Sequence, residues 1–329
     1  MRRNTPAPYR VAIIGCGRVG VLYEAEPLRR KPASHAGVAQ ANPKTELVAL
    51  VDTNAKALLR AGKIFPKVGR YRSVRECLQK ERPDIVVIAT PPSVRLVPIQ
   101  ECLRAGVRAI VCEKPLAETA RDARAIARMV SKDKGVFVVN YQRRFSPLMA
   151  RVRRDIHSGA LGTIQQVTCY YSNGLYNNGG HALDALQYLL GEDMHAVWAR
   201  TNPKAMHPSG DSCVDAVLET KTGTRVVLQS IDQKAYGIFD IRILGSKGER
   251  ALLDNSDALI ETPARSSSYK GERALDRARA TVRRGAPAHA LDRAAQYLTN
   301  RERPESGVEN GRAVVELLEE IKKHAQKKK

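Results

Sequence analysis

The feature that most constrains this chain is a short apolar run followed at once by glycines at fixed spacing. Val11-Ala12-Ile13-Ile14 is continuous and largely β-branched, the pattern of a strand buried on both faces of a parallel sheet. It leads directly into Gly15-Cys16-Gly17-Arg18-Val19-Gly20. Glycines so spaced permit a tight turn, let backbone approach a pyrophosphate and let the next helix pack closely on the strand. The amides that open that helix then face phosphate oxygens. The motif predicts dinucleotide binding through Gly15, Gly17, Arg18, Val19 and Gly20, provided that further strands and helices alternate behind it.

They do. Glu46–Val51, Ile85–Ala89, Arg108–Cys112 and Val136–Val139 repeat the buried-strand pattern, with helical patterns over Asn54–Phe65, Ser73–Lys80, Pro98–Ala105 and Thr119–Lys132 between them. Such alternation gives right-handed βαβ crossovers and a doubly wound α/β sheet, so residues 8–140 are expected to form an NAD(P)-binding Rossmann domain. Beyond it the texture changes. A helix over Pro147–Ser158 is followed by period-two alternation in Ile164–Tyr171, Val214–Thr220, Arg225–Ile231 and Phe239–Leu244. Turns at Lys221–Thr224 and Gly245–Gly248 imply antiparallel pairing. Helical stretches over Ala288–Asn300 and Gly311–Gln326 end the chain. Residues 141–329 are thus expected to be an α+β substrate and oligomerisation domain with a largely antiparallel sheet, frayed over 322–329. A sheet covered on one face leaves the other for a homodimer or homotetramer.

Composition narrows the function classes. The formal net charge is +21, a balance that suggests nucleic acid, membrane phosphates or acidic substrates. Most of the excess falls in the first 145 residues, on the domain expected to bind a pyrophosphate. Aromatics make up only 5%, too few for a base-stacking platform, and no helix-turn-helix or metal knuckle is present, so nucleic acid is not expected. No apolar run approaches the roughly 20 residues that cross a bilayer, and the start of the chain lacks the pattern of a secretory signal. Six cysteines without CxxC pairing, mostly in apolar surroundings, read as reduced thiols in a cytoplasmic protein, with no metal site.

Asp52 closes the second strand pattern. A carboxylate there accepts hydrogen bonds from the adenosine ribose and repels a 2′-phosphate, which favours NAD over NADP. It lies farther from Gly20 than the usual spacing of about 20 residues, so Glu24–His35 reads as an inserted loop. The alternative role for Asp52 is to cap the following helix, and Lys56 and Arg60 leave NADP open.

Two further motifs sit at strand C-terminal ends, where open α/β sheets place ligands: Ala89-Thr90-Pro91-Pro92 and Cys112-Glu113-Lys114-Pro115-Leu116-Ala117. With the glycine motif they resemble, in order and spacing, the Gfo/Idh/MocA family of glucose–fructose oxidoreductase and inositol dehydrogenase. The likeness continues through Asn140-Tyr141-Gln142-Arg143-Arg144-Phe145-Ser146-Pro147, then Ser158–Gly162 and Gly180–Gly191.

The resemblance implies an NAD(P)-dependent oxidoreductase that transfers hydride between nicotinamide and a hydroxyl or carbonyl of a sugar, cyclic polyol or sugar derivative. Thr90, Pro91, Glu113 and Lys114 would join the cofactor set. Lys114, the lysine of Glu-Lys-Pro, would polarise the reacting oxygen, and an ammonium there stabilises alkoxide charge. The family's Asp and His, four residues apart, allow two placements. Aligning on Asp184 puts Tyr188 at the histidine position, whereas aligning on His181 preserves the run into Leu-Leu-Gly. The second makes His181 the proton acceptor and leaves Asn177, which orients without a carboxylate's charge, where the family has Asp.

Arg144, Tyr171, Asn177 and Asp184 complete the implied substrate set, among pocket candidates that include Tyr170, Asn173 and Tyr176. Arg143 competes with Arg144 for that role, and Arg95 and Arg108 stand where relatives carry His. An anionic or nucleotide-linked sugar fits the basic charge. The alternatives are an NAD-assisted glycoside hydrolase on the same fold and a catalytically idle NAD-binding protein.

Overall fold

The computed structural model describes residues 7–206, 210–276, 279–282 and 289–326. They fall into two compact units, one within Met1–Asn140 and Ala288–Arg312, the other within Tyr141–Pro287 and Ala313–Lys329.

The elements of the first unit are β1 (Tyr9–Ile14), α1 (His35–Ala41), β2 (Thr45–Val51), α2 (Ala55–Ile64), β3 (Gly69–Tyr71), α3 (Val74–Glu81), β4 (Ile85–Ile88), α4 (Leu96–Arg104), β5 (Ala109–Cys112), α5 (Ala120–Val130) and β6 (Val136–Val139). The six strands are parallel, in the order β3-β2-β1-β4-β5-β6. β4 and β5 are buried along their whole length, which is what a sheet covered on both faces requires of its central strands. The helices begin where short polar side chains supply the missing acceptors: Asn54 accepts from the amides of Lys56 and Ala57, Ser73 from Glu76, and Thr119 from Asp122. The strand order reverses between β1 and β4, so the loops after those strands flank the switch point where such sheets hold ligands.

The second unit contains α6 (Pro147–His157), β7 (Ile164–Tyr171), α7 (Gly180–Leu190), β8 (Met194–Met206), β9 (Ser212–Thr220), β10 (Arg225–Ser230), β11 (Phe239–Gly245), β12 (Gly248–Leu253), β13 (Ala258–Ser266), β14 (Arg273–Leu275) and β15 (Arg279–Val282). The strands form one sheet in the order β14-β13-β12-β11-β7-β10-β9-β8, with β15 against β13. Its pairs are antiparallel except β7 with β10, which run parallel. Alternation sends Val214, Ala216 and Leu218 of β9, Leu228 of β10, and Ile241 and Ile243 of β11 into the core. The expected turns are present, since Gly245 pairs with Gly248 between β11 and β12. β8, β12 and the strands after it are additions to the sequence reading. β8 carries polar residues, Pro203 and two breaks in register, which blur period two.

The chain ends in α8 (Ala290–Asn300) and α9 (Val308–Gln326). Residues 288–312, expected in the second domain, cluster with the first unit. The reason is the apolar stripe of α8, Ala290, Leu291, Ala294, Ala295 and Leu298, which is buried where the helix packs on β5 and β6. The expected fraying from residue 322 is corrected as well, because α9 stays helical to Gln326; residues 327–329 lie outside the described set. All six cysteines are buried and free.

Candidate active site

The site in the first unit starts at the end of β1. Gly15 adopts φ +101°, and a Cβ there would sit 2.8 Å from the backbone carbonyl of Ala89. Only glycine permits this turn and the close approach of the β1 and β4 loops. A Cβ on Gly20 would lie 2.0 Å from the Gly15 oxygen. Gly17 differs, because a Cβ on it would meet nothing within 4 Å. The chain after Gly20 does not run on as the helix expected. It makes one turn closed by the amides of Val21 and Leu22 on the Gly17 carbonyl, then a 3-10 turn over Leu22–Ala25, and reaches α1 only at His35. The segment read as an insertion interrupts the helix, and the Glu24 carboxylate secures it by accepting from the amides of Ala33 and Ser34 and the Ser34 hydroxyl. The amides of His35 and Ala36 then return to the carbonyls of Val19 and Gly20.

Asp52 does not cap α2, a role taken by Asn54. Its carboxylate instead accepts from the Cys16 amide at 2.9 Å and the Asn54 amide at 2.8 Å, binding the end of β2 to the glycine loop. Burial, with the Asp52 charge, pushes the Cys16 thiol up to about 12, so it stays protonated and unreactive.

Behind β4 and β5 the two strand-end motifs are fastened by Arg95. Its Nε donates to the Thr90 carbonyl at 2.9 Å and its Nη1 to the carbonyls of Glu113 and Pro115. Arg95 is buried, and its three bonds to backbone carbonyls make it a staple between the two loops. Glu113 is buried too. Its Oε1 accepts from His35 Nε2 at 2.8 Å and Asn140 Nδ2 at 2.6 Å, and Oε2 accepts from the Lys114 amide at 3.1 Å. Burial alone raises a carboxyl pKa, but the hydrogen bond and charge of His35, the charge of Lys114 and the Asn140 bond overturn it and hold Glu113 at about 2. Lys114 precedes a cis peptide bond to Pro115.

Residues of this unit fit a dinucleotide. Gly17 is exposed and a Cβ on it would meet only open space, so the loop backbone there is accessible to a ligand. The buried Thr90 Oγ1 and Asn140 Oδ1 have no hydrogen-bond partner, polar atoms suited to a ligand's hydroxyl, amide or phosphate groups. The glycine loop and Asp52 would hold the pyrophosphate and ribose, with Thr90 and Pro91 beside them.

In the second unit, His181 stands one residue into α7 with its ring edge-on to Tyr141, centroids 5.7 Å apart at 86°. A π-helical turn over Gly174–Gly179 leads into α7. The Asp211 carboxylate accepts from the amides of Tyr176 at 3.1 Å and Asn177 at 3.0 Å, tying the turn before α7 to the start of β9. Three of the expected substrate residues have buried side chains engaged by protein partners. Tyr171 is fully buried, its hydroxyl donating to the Val214 carbonyl and accepting from the Val214 amide, each at 2.8 Å. Arg144 and Asp184 are buried against each other, with Nε 2.8 and 2.9 Å from the two carboxylate oxygens. Burial pushes Asp184 up to about 6 against the pull of Arg144 and Arg143, which still leaves it ionised at neutral pH. Of the implied substrate set, Asn177 is half-buried.

His35, Asn140 as a side-chain partner, and Asp211 escaped the sequence reading. Their contacts span 78, 27 and 34 or more positions, and no local pattern reports such pairing.

A six-stranded parallel sheet with a glycine loop at its switch point is the architecture of a dinucleotide-binding domain, and the same chain carries a second domain with a mixed sheet. A profile described as "Oxidoreductase family, NAD-binding Rossmann fold" matches residues 9–141, and the GFO/IDH/MocA C-terminal domain matches residues 172–250. The chain belongs to the Gfo/Idh/MocA family of NAD-binding oxidoreductases. It is 29% identical over 272 residues to inositol 2-dehydrogenase of Rhizobium meliloti, covering 77% of this chain and 78% of that protein. It is 37% identical over 119 residues to D-apiose dehydrogenase of Paraburkholderia graminis, covering 36% and 31%. The match to rhizopine catabolism protein MocA of Rhizobium meliloti, 26% over 200 residues, spans 56% of this chain and 58% of that one. Among solved structures, the WlbA dehydrogenase of Bordetella pertussis in complex with NADH and UDP-GlcNAcA shares the fold at a TM-score of 0.75 and 21% identity, with 97% of each chain covered. The aldose-aldose oxidoreductase of Caulobacter crescentus also reaches 0.75, at 20% identity, with 97% of this chain and 98% of that one covered.

Proposed function

We propose that this oxidoreductase oxidises a secondary hydroxyl of a sugar or cyclic polyol, using NAD in preference to NADP. The observation that carries the reading is the strand-end cluster of the first unit. Lys114 is held there by Glu113 and Arg95 in a loop bonded to Thr90, which borders the dinucleotide turn at Gly15. The names of the relatives, inositol 2-dehydrogenase and D-apiose dehydrogenase, support the substrate class.

Bound NAD supplies hydride acceptance. The chain's own residues manage the proton. The Lys114 ammonium stabilises negative charge on the hydroxyl oxygen as its proton leaves, and His181 accepts that proton. Asn177 orients the substrate through its amide. Asp52 favours NAD, since its carboxylate repels a 2′-phosphate.

Self-association through the second unit's sheet belongs to the same proposal. The strand register aligns Trp198, Val217, Val227, Thr168 and Arg242 across one face, and Val197, Trp198 and Leu244 are exposed. A second copy would cover them. Buried free thiols fit a reducing compartment such as the cytoplasm. Among the described residues no helix is long and apolar enough to cross a membrane.

The test is a panel of polyols, aldoses, sugar acids and nucleotide sugars, scored by NADH or NADPH formation. Turnover is expected with a polyol or aldose and NAD. It should fall at least about 100-fold in Lys114→Ala and in His181→Ala. Near-wild-type turnover in either variant contradicts that residue's role.

A further inference from the structure

We propose that His35 is a positioning residue for Lys114, acting through the buried carboxylate of Glu113. The inference rests on the reading of Lys114 as the residue that stabilises the reacting oxygen. His35 begins α1, far along the chain from the Glu-Lys-Pro motif and separated from the glycine loop by the inserted segment. Its ring is buried nonetheless, and Nε2 meets Glu113 Oε1 at 2.8 Å. Asn140, at the end of β6, donates to the same oxygen at 2.6 Å, and Glu113 Oε2 accepts from the Lys114 amide at 3.1 Å. Arg95 holds the carbonyls on either side of Lys114. The Lys114 backbone is therefore fixed at its N–H by the Glu113 carboxylate and at its flanking carbonyls by a guanidinium.

The carboxylate holds the amide best while ionised, and a buried carboxylate stays ionised only while its donors remain. The groups acting on it are His35 from α1, Lys114 from its own loop and the Cys112 thiol at the end of β5, with neutral Asn140 completing the shell; His289, just before α8, acts in turn on His35, and Arg95 reaches only the Glu113 backbone carbonyl. Removing the His35 donor lets Glu113 protonate at a higher pH. The carboxylate then releases the Lys114 amide.

The experiment measures kcat and KM against pH for the wild type, His35→Ala, His35→Gln and Asn140→Ala, with NADH affinity followed separately by fluorescence. His35→Ala is expected to lower kcat by about 10- to 100-fold, to leave NADH affinity within about twofold, and to add a second acid limb in kcat to the one that a histidine base already gives the wild type. Glutamine carries an N–H donor at a comparable reach, so His35→Gln should recover most of kcat and lose the second limb. Should His35→Ala fail to fold, Asn140→Ala removes the second donor and should show the same acid limb. A wild-type kcat and pH profile in the folded donor-deleted variants, with Lys114→Ala inactive, overturns this inference alone. Full turnover in Lys114→Ala overturns the reading beneath it.

Discussion

Gly15, Gly17 and Gly20 share one motif, yet the structure separates what each does. Gly15 and Gly20 are required by the fold, because a Cβ on either collides with neighbouring backbone. Gly17 faces open space, so its lack of a side chain serves whatever approaches the loop. Gly20→Ala should therefore lower the melting temperature, whereas Gly17→Ala should leave it unchanged and weaken NAD binding by about tenfold, as read by calorimetry beside a thermal melt. Equal loss of stability in both variants contradicts the distinction. At this scale the sequence was legible wherever a residue acts through its own backbone. It was silent where a side chain is used up in the interior: nothing near Tyr171 announces that its hydroxyl closes on Val214, nor near Arg144 that Asp184 neutralises it.

The elements of the first sheet were legible because a strand buried on both faces leaves an unbroken apolar run, as in Ile85–Ile88 and Ala109–Cys112. Half-covered strands leave less. β8 and β13 are long but polar on one side, and β3 and β14 have only three residues each, so pairing partners decided them and not local pattern. The strand-end cluster carries a prediction of its own. Glu113 is held at about 2, below an ordinary value of 4.5. A carboxyl depressed in the folded state stabilises the protein above its unfolded pKa and loses that contribution as pH falls toward the folded one. The effect is about 3 kcal/mol in all. Urea midpoints should thus decline between about pH 4.5 and 2 more steeply in the wild type than in Glu113→Gln. Parallel curves contradict the assignment.

For the whole molecule, the basic excess now has a narrower meaning. The chain is an oxidoreductase of a nucleotide-binding family, and positive charge concentrated in the first 145 residues suits an anionic cofactor or substrate. The helix Ala290–Asn300, distant in sequence, joins the first unit because its apolar stripe needs a sheet face, a choice made by packing that no count of periodicity reveals. Val197 and Trp198 are exposed on the edge strand β8, on the surface proposed above to meet a second copy. Light scattering should find a dimer or tetramer in the wild type and a smaller species in Trp198→Glu. A monomeric wild type contradicts self-association. The central claim is tested most directly by counting products, with NADH and newly formed carbonyl measured in the same reaction of the turned-over polyol or aldose. One NADH per carbonyl is the expected result; sugar released or consumed with no NADH accumulating would contradict it.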